Sequence, residues 1–167
     1  MDATSLSGAL LDVDGAVQWR ESLRARGRAV VFTNGCFDLL HAGHVRYLCW
    51  ARAQGDALIV GLNTDDSVRR IKGRSRPIVP FADRAELLLA LRSVDAVVGF
   101  AELTPEVLLD RLRPDVHVKS DQYNEDELPE RNVVLAAGGR IALAPHASGK
   151  SSTELVARIL NAYSRNG

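Results

Sequence analysis

Hydrophobic and polar positions alternate along the chain in two patterns. Short apolar runs rich in β-branched residues predict buried strands, and between them longer stretches repeat their apolar residues at helical spacing. The predicted strands cover residues 29–32, 57–62, 96–98, 116–118 and 140–143. The predicted helices cover residues 13–26, 42–54, 65–71, 82–91, 127–136 and 151–162, and a further helix begins near residue 104.

This alternation of strand and helix predicts one α/β domain. A parallel sheet with helices on both faces is the arrangement that buries such strands. We therefore expect a single doubly wound, Rossmann-like domain with a five-stranded parallel sheet over residues 12–167, preceded by a flexible tail at residues 1–11. Ligands of such folds bind at the carboxyl ends of the strands, where the strand order reverses.

Composition narrows the function classes. The chain has 167 residues, 46% of them hydrophobic, and its 21 basic residues balance 21 acidic ones. A net charge of zero gives no electrostatic footprint for nucleic acid or an anionic membrane. No apolar run reaches the ~20 residues that span a bilayer, and the first residues lack the basic start of a secretory signal. Two cysteines make no disulfide framework, and the prediction is a cytoplasmic protein.

The most informative segment follows the first predicted strand. Thr33 and Asn34 are polar residues at its carboxyl end, and Gly35 lets a ligand approach the backbone. His41-Ala42-Gly43-His44 then runs into the start of a helix. The unpaired N–H groups of a helix N-terminus attract anions, and two histidines three residues apart can face the same phosphate. This spacing predicts a phosphate site.

This segment has two other interpretations. Two histidines at a helix start are by themselves often capping or surface residues. Cys36, His41, His44 and Cys49 have zinc-like spacing. However, His44 and Cys49 lie five apart on one helix and point in different directions, and Cys49 falls on the apolar face. We therefore predict no metal ligands from the protein.

The segment Phe32 to His44 resembles the signature of the HxGH nucleotidylyltransferases, the cytidylyltransferase-like superfamily. Within this superfamily, the sequence of the segment is most similar to that of the D-glycero-β-D-manno-heptose 1-phosphate adenylyltransferases. The resemblance covers roughly residues 12 to 163. Further matching segments follow in the family's order: residues 61–65, 71–73, 76–78, 82–84, 103–105, 113–116 with Lys119, and 151–153.

The resemblance implies roles for individual residues. Those expected to act on the reacting phosphates are His41, His44 and Lys72. Those expected to bind the nucleotide are Thr33, Asn34, Gly35, Phe37, Gly43, Lys119, Ser151, Ser152 and Thr153. Those expected to bind the acceptor are Asp38, Asn63, Asp65, Arg84 and Asp121. Several have ordinary alternatives: Lys72 as part of a solvated basic loop, Asp65 as a helix cap, and Arg84 as a surface residue at a helix start.

Two places depart from familiar patterns. The heptose family usually reads Lys-Gly-Gly-Asp-Tyr where this chain has Lys119-Ser120-Asp121-Gln122-Tyr123, so the sugar and the base preference stay open. Gly149-Lys150-Ser151 suggests a P-loop, but that motif needs a glycine at position 144, which is alanine. Ser151, Ser152 and Thr153 fit the superfamily better, as a second anion site at a helix start.

The resemblance implies transfer of a nucleotidyl group, most simply adenylyl, from ATP to D-glycero-D-manno-heptose 1-phosphate, with release of pyrophosphate. Mg²⁺ is expected to bind through the substrate phosphates. The alternatives are a cytidylyltransferase acting on glycerol 3-phosphate or a related polyol phosphate, and a non-catalytic nucleotide-sensing module. No nucleic-acid or membrane partner is expected. The oligomeric state stays open, although homodimers are common among relatives.

Overall fold

The structure, a computed structural model, describes residues 8–145 and 152–164 of the chain. Its six strands form one parallel sheet: β1 (Ala9–Leu11), β2 (Val30–Gly35), β3 (Ala57–Asn63), β4 (Ala96–Phe100), β5 (Val116–Ser120) and β6 (Arg140–Ala144). Its helices are α1 (Val13–Arg24), α2 (Ala42–Arg52), α3 (Asp65–Lys72), α4 (Phe81–Leu89), α5 (Glu106–Leu112), α6 (Arg131–Ala136) and α7 (Ser152–Ser164).

The strand order shows where a ligand is expected to bind at the sheet. The strands lie in the order β1-β4-β3-β2-β5-β6. From β2 the chain adds β3 and β4 on one side and then crosses back to add β5 and β6 on the other. The order therefore reverses between β2 and β5, which pair through Val31 with Val116 and Phe32 with His117. A ligand is expected at the carboxyl ends of these two strands.

Helices cover both faces of the sheet, as predicted. Neighbouring side chains of β2 point to opposite faces because a strand has a repeat of two. Val31 packs with Leu48 of α2 and Leu88 of α4, whereas Phe32 belongs to the core formed with α1, α5 and α6. The arrangement confirms the doubly wound architecture.

The number of strands corrects the prediction from five to six. Residues 9–11, which the sequence pattern assigned to a flexible tail, form β1 and pair with residues 96–98 of β4. This run of three residues is too short to show a strand pattern in the sequence. It forms a strand because it pairs with the edge of β4. Residues 1–7 of the predicted tail lie outside the described residues.

The helix predicted for residues 127–136 is shorter than expected. A single 3-10 turn covers Glu125–Glu127, and α6 begins only at Arg131. Pro129 lies between them and has no backbone N–H to donate to a continuing helix. Within the described ranges, no helix has both the length and the apolar character needed to cross a membrane.

Candidate active site

Two stacked histidines mark the start of α2. His41 is the N-cap residue, with extended backbone, and its Nδ1 accepts a hydrogen bond from the Gly43 N–H at 3.1 Å. The rings of His41 and His44 stack with their centroids 3.9 Å apart and their planes 24° apart. Because Nδ1 of His41 is an acceptor, we infer that Nε2 carries the proton of the neutral ring. His41 can therefore donate from Nε2 at a helix N-terminus.

His44 is held in its neutral form. Burial, followed by the charge of His41, lowers the pKa of His44 from 6.5 to about 4. The Phe37 ring lies 5.3 Å from the His44 ring, and Phe37 itself has a φ of 45°, a left-handed conformation that non-glycine residues rarely adopt. The turn before α2 thus places an aromatic ring beside the imidazole. A neutral His44 can act on a phosphate by donating a hydrogen bond.

A cleft opens at the point where the strand order reverses. It consists of two adjoining cavities of about 810 Å³ and about 590 Å³. The predicted site residues that line it are Asn34, Gly35, Phe37, Asp38, His41, Gly43, His44, Asn63, Lys72, Lys119 and Ser152. Residues far apart in sequence, from β2, α2, β3, α3, β5 and α7, therefore meet around one space.

Two residues that line this cleft each have a buried polar atom without a protein partner. Among the residues that the structure describes, Asn34 Oδ1 and His44 Nδ1 are buried and make no hydrogen bond. Both residues line both cavities. A buried polar atom without a partner costs about 1–3 kcal/mol.

Cationic groups line the same cleft. Lys119, on β5, contributes to the walls of both cavities, and its Nζ lies 2.9 Å from Glu130 Oε1 and 5.0 Å from the centre of the Tyr123 ring. Lys72, the last residue of α3, is exposed at the larger cavity. The cleft thus combines a helix N-terminus with two lysines, which suits a polyanionic ligand.

The buried Asp38 carboxylate anchors the loop between α3 and α4. It accepts hydrogen bonds from the backbone N–H groups of Ile78 at 2.8 Å and Val79 at 2.9 Å, and it pairs with Arg76 at 2.6 Å. Burial raises the pKa of Asp38, but the Val79, Arg76 and Ile78 contacts outweigh burial and lower it below its usual value. Asp38 lines the cleft, yet its bonds go to the loop. Its predicted contact with the acceptor substrate stays a prediction.

Arg84 does not line the cleft, and its predicted contact with the acceptor substrate stays a prediction. Its side chain is fully buried and donates to the backbone oxygens of Cys36, Asn63 and Val79. It also pairs with Asp65 at 2.7 Å, so Asp65 is likewise directed at Arg84. Neither residue lines either cavity. Arg84 instead ties together the segments that follow β2 and β3 and the loop before α4.

Thr33 is also an internal residue. Its hydroxyl is buried, 2.7 Å from the Tyr47 hydroxyl and 3.0 Å from the Val118 carbonyl oxygen, so it links β2 to β5. Its predicted contact with the nucleotide stays a prediction. Asp121 is exposed, outside the lining of both cavities, and its backbone N–H donates to Ala144. Ser151 lies outside the described residues, and so does the side chain of Thr153.

Several lining residues were absent from the sequence prediction. Glu130, Gln122 and Tyr123 line the larger cavity, and the latter two also line the smaller one. The position of Gln122 and Tyr123 in the segment after Lys119 was an available signal, because this segment follows a strand at its carboxyl end. No local pattern distinguishes Glu130 from the exposed acids around it. Only its burial in the fold identifies it.

The described residues contain no group of three or more His, Cys, Asp or Glu side chains placed to hold a metal ion. The two buried acids at the cleft already have cationic partners, since Asp38 pairs with Arg76 and Glu130 with Lys119. A divalent cation in this cleft would therefore take its ligands mainly from the phosphates of a substrate. This donor chemistry fits Mg²⁺, which commonly binds through phosphate oxygens.

Comparison of the sequence with known proteins gives a consistent result. The sequence model of the family described as cytidylyltransferase-like matches residues 32–158. The chain is 48% identical over 160 residues to the bifunctional protein HldE of Syntrophotalea carbinolica, covering 92% of this chain and 33% of that protein. It is 50% identical over 140 residues to HldE of Geobacter sulfurreducens, covering 84% and 29%. The chain thus spans about a third of the length of these relatives.

Solved structures share the fold. The lipopolysaccharide core biosynthesis protein from Thermoplasma volcanium superposes with a TM-score of 0.61 at 26% identity, over 74% of this chain and all of that one. The pantoate-beta-alanine ligase from Francisella tularensis superposes with a TM-score of 0.59 at 14% identity, over 87% of this chain and 69% of that one. The second likeness concerns the fold alone.

Proposed function

The chain belongs to the cytidylyltransferase-like family, and from that membership we propose that it transfers a nucleotidyl group from a nucleoside triphosphate to a sugar 1-phosphate. The observation that carries the proposal is the stacked pair His41 and His44 at the start of α2, beside the cleft where the strand order reverses. The cation of Lys119, which lines both cavities, completes a site for phosphate groups.

In the proposed reaction, an oxygen of the sugar phosphate attacks the α-phosphorus of the triphosphate. The bond to the bridging oxygen breaks, and pyrophosphate leaves with the electron pair. A phosphate nucleophile is already ionised near neutral pH, so the reaction needs in-line positioning and charge stabilisation more than a general base. His41 donates from Nε2, and neutral His44 donates a second hydrogen bond to the phosphate oxygens. The N-terminal dipole of α2 favours the charge that develops there.

Lys72 and the loop after it are proposed to neutralise the triphosphate or the sugar phosphate. Lys72 ends α3 at the rim of the larger cavity, directly before the loop that Asp38 anchors. Mg²⁺ bound through the phosphates of the triphosphate would supply further neutralisation of their charge. The two buried acids at the cleft, Asp38 and Glu130, are paired with Arg76 and Lys119, so the proposed part of the protein is to hold the phosphates.

ATP and D-glycero-D-manno-heptose 1-phosphate are the proposed substrates. Their support is the motif resemblance, together with 45–50% identity to proteins named HldE over most of this chain. The likeness to a lipopolysaccharide core biosynthesis protein also favours a sugar phosphate as the acceptor. Because this chain spans only a third of those relatives, the substrates need a direct test.

The test is a pyrophosphate-release assay with ATP, CTP and GTP, each combined with several sugar and polyol phosphates. We expect ATP with the heptose 1-phosphate to give the highest kcat/KM. CTP with glycerol 3-phosphate as the best pair would overturn the substrate assignment. ATP binding by calorimetry without pyrophosphate release from any pair would overturn the catalytic proposal and indicate a nucleotide-sensing module.

The role of the histidines is tested by His44→Ala. We expect kcat to fall by about 10²–10³ while the urea midpoint stays close to that of the wild type, as for loss of a group that stabilises transition-state charge. The matched control is Cys49→Ala, an exposed position on the same helix. Near-normal kcat in His44→Ala would show that the proposed mechanism is wrong.

A further inference from the structure

A buried carboxylate belongs to the wall of the larger cavity. Glu130, at the residue before α6, is only 2% exposed. Its Oε1 lies 2.9 Å from Lys119 Nζ and 3.1 Å from His117 Nε2. Burying a carboxylate is costly unless it is paired and hydrogen-bonded. One oxygen atom of Glu130 thus joins the interior of the protein to a cation at the cleft.

The geometry of β5 makes this bridge possible. His117 and Lys119 are two residues apart on the strand, so their side chains leave the same face of the sheet. His117 is completely buried against the Phe32 ring, at 5.4 Å between centroids, whereas the Lys119 side chain is 13% exposed and lines both cavities. Glu130 therefore contacts both the fully buried His117 and Lys119, which lines the cleft.

The contact with Glu130 restricts a side chain, that of Lys119, which is otherwise flexible. The Lys119 side chain is a flexible chain of four carbons. Free rotation about its bonds would spread the ammonium over many positions and weaken its contacts with a ligand. Glu130 on one side and the Tyr123 ring, 5.0 Å away, on the other limit that freedom. The ammonium is therefore already placed before any ligand arrives.

We propose that Glu130 is a positioning residue for nucleotide binding: it fixes the Lys119 ammonium where the two cavities meet, and His117 holds the carboxylate in that orientation. This inference rests on the proposed function, because it assigns Lys119 to the phosphates of the nucleotide. Glu130 itself contacts no substrate.

The ionisation of the three groups is consistent with this arrangement. Burial raises the pKa of Glu130, but the hydrogen bond with His117 and the charge of Lys119 outweigh it and bring the pKa down to about 2. Burial is also the largest influence on His117 and lowers its pKa. At neutral pH the carboxylate is charged and the imidazole neutral. We infer that His117 donates from Nε2 to Glu130 while Lys119 balances the charge.

The test is a double-mutant cycle read out by calorimetric ATP binding. Glu130→Gln keeps the shape of the side chain and removes its charge, and Lys119→Ala removes the ammonium. We expect each single variant to weaken ATP binding on the order of tenfold, and the double variant to bind no more weakly than Lys119→Ala. In the release assay the KM for ATP should rise by a similar factor, with kcat within about twofold of the wild type.

Asp126→Asn is the matched control, because this acid is exposed and only four residues away. We expect its ATP affinity to equal that of the wild type. Urea midpoints separate positioning from folding, since a purely structural role would lower stability without changing the ATP affinity of the folded protein. If Glu130→Gln fails to fold, the cycle is repeated with Glu130→Asp, which keeps the charge but withdraws the oxygen from Lys119.

The outcomes distinguish this inference from the proposed function. Unchanged ATP affinity in Glu130→Gln, or losses that add fully in the double variant, would overturn the role of Glu130 alone. Wild-type protein that binds ATP but releases no pyrophosphate would overturn the proposed reaction, while the binding cycle would still decide the role of Glu130. Absence of ATP binding by the wild type would overturn both.

Discussion

Replacing the buried Arg84 with lysine perturbs the framework of the site without entering the cleft. The guanidinium of Arg84 donates to the carbonyl oxygens of Asn63 at 2.9 Å and Val79 at 3.0 Å, to that of Cys36, and to the Asp65 carboxylate at 2.7 Å. A lysine keeps the charge, but its donors radiate from a single nitrogen and cannot match the planar fork. At least two of the four acceptors would lose their donor.

Each buried acceptor left without a donor costs about 1–3 kcal/mol, so Arg84→Lys should destabilise the domain by about 4 kcal/mol. For a chain of this size such a loss lowers Tm by about 8–16 °C. Urea and thermal unfolding measure the change, with the exposed Arg92→Lys as the matched control that should behave as wild type. Below the unfolding transition, the KM for the sugar phosphate should stay within about threefold of the wild-type value.

The opposite pattern would refute this reasoning. If Arg84→Lys unfolds at the wild-type urea concentration but raises the KM for the sugar phosphate many-fold, Arg84 contacts the substrate and the placement derived from its four hydrogen bonds is wrong. The comparison is decisive because a substrate ligand affects KM without affecting stability, whereas a buried framework residue does the reverse.

Two further predictions concern ionisable groups at the site. Asp38→Asn should lower the free energy of unfolding at pH 7 by about 1–3 kcal/mol. Because the pKa of Asp38 in the folded protein lies below 3.8, this difference from the wild type should shrink as the pH falls below about 4. A difference that does not depend on pH in urea titrations would contradict this. His44 should titrate by NMR with a midpoint of about 4 rather than 6.5. The same shift should make the wild type less stable as the pH falls from 6.5 to about 4, because the unfolded chain takes up the proton first, and a midpoint near 6.5 would contradict both statements.

Local patterns in the sequence predicted most of the fold. Five of the six strands and all of the helices were anticipated because their apolar spacing reflects the face that each element buries. The missed strand, β1, has three residues and exists through its pairing with β4. The start of the predicted helix at residues 127–136 was misplaced because Pro129 interrupts a pattern that otherwise looks continuous.

Only some residues of the candidate site could be placed from the sequence. The positions of His41 and His44 were predicted from a local feature, the start of a helix after a strand, and both lie at the start of α2 beside the cleft. Thr33 and Arg84 carry suitable chemical groups in matching motifs, but both groups turn inward and bond to the protein itself. Glu130 shows the reverse case, an acid of ordinary appearance that becomes important only because the fold buries it beside Lys119.

The sequence by itself determined the alternation of strands and helices, the covering of both sheet faces, and the two histidines at the start of α2. Those properties depend on residues within one or two turns of each other. The tertiary structure alone decided the strand order, the sixth strand, and which polar side chains face the cleft. Arg84 bonds to Cys36, 48 residues away, and Thr33 to Val118, 85 residues away. A polar side chain takes the partner that the fold brings within about 3 Å, and short-range patterns carry no information about that partner.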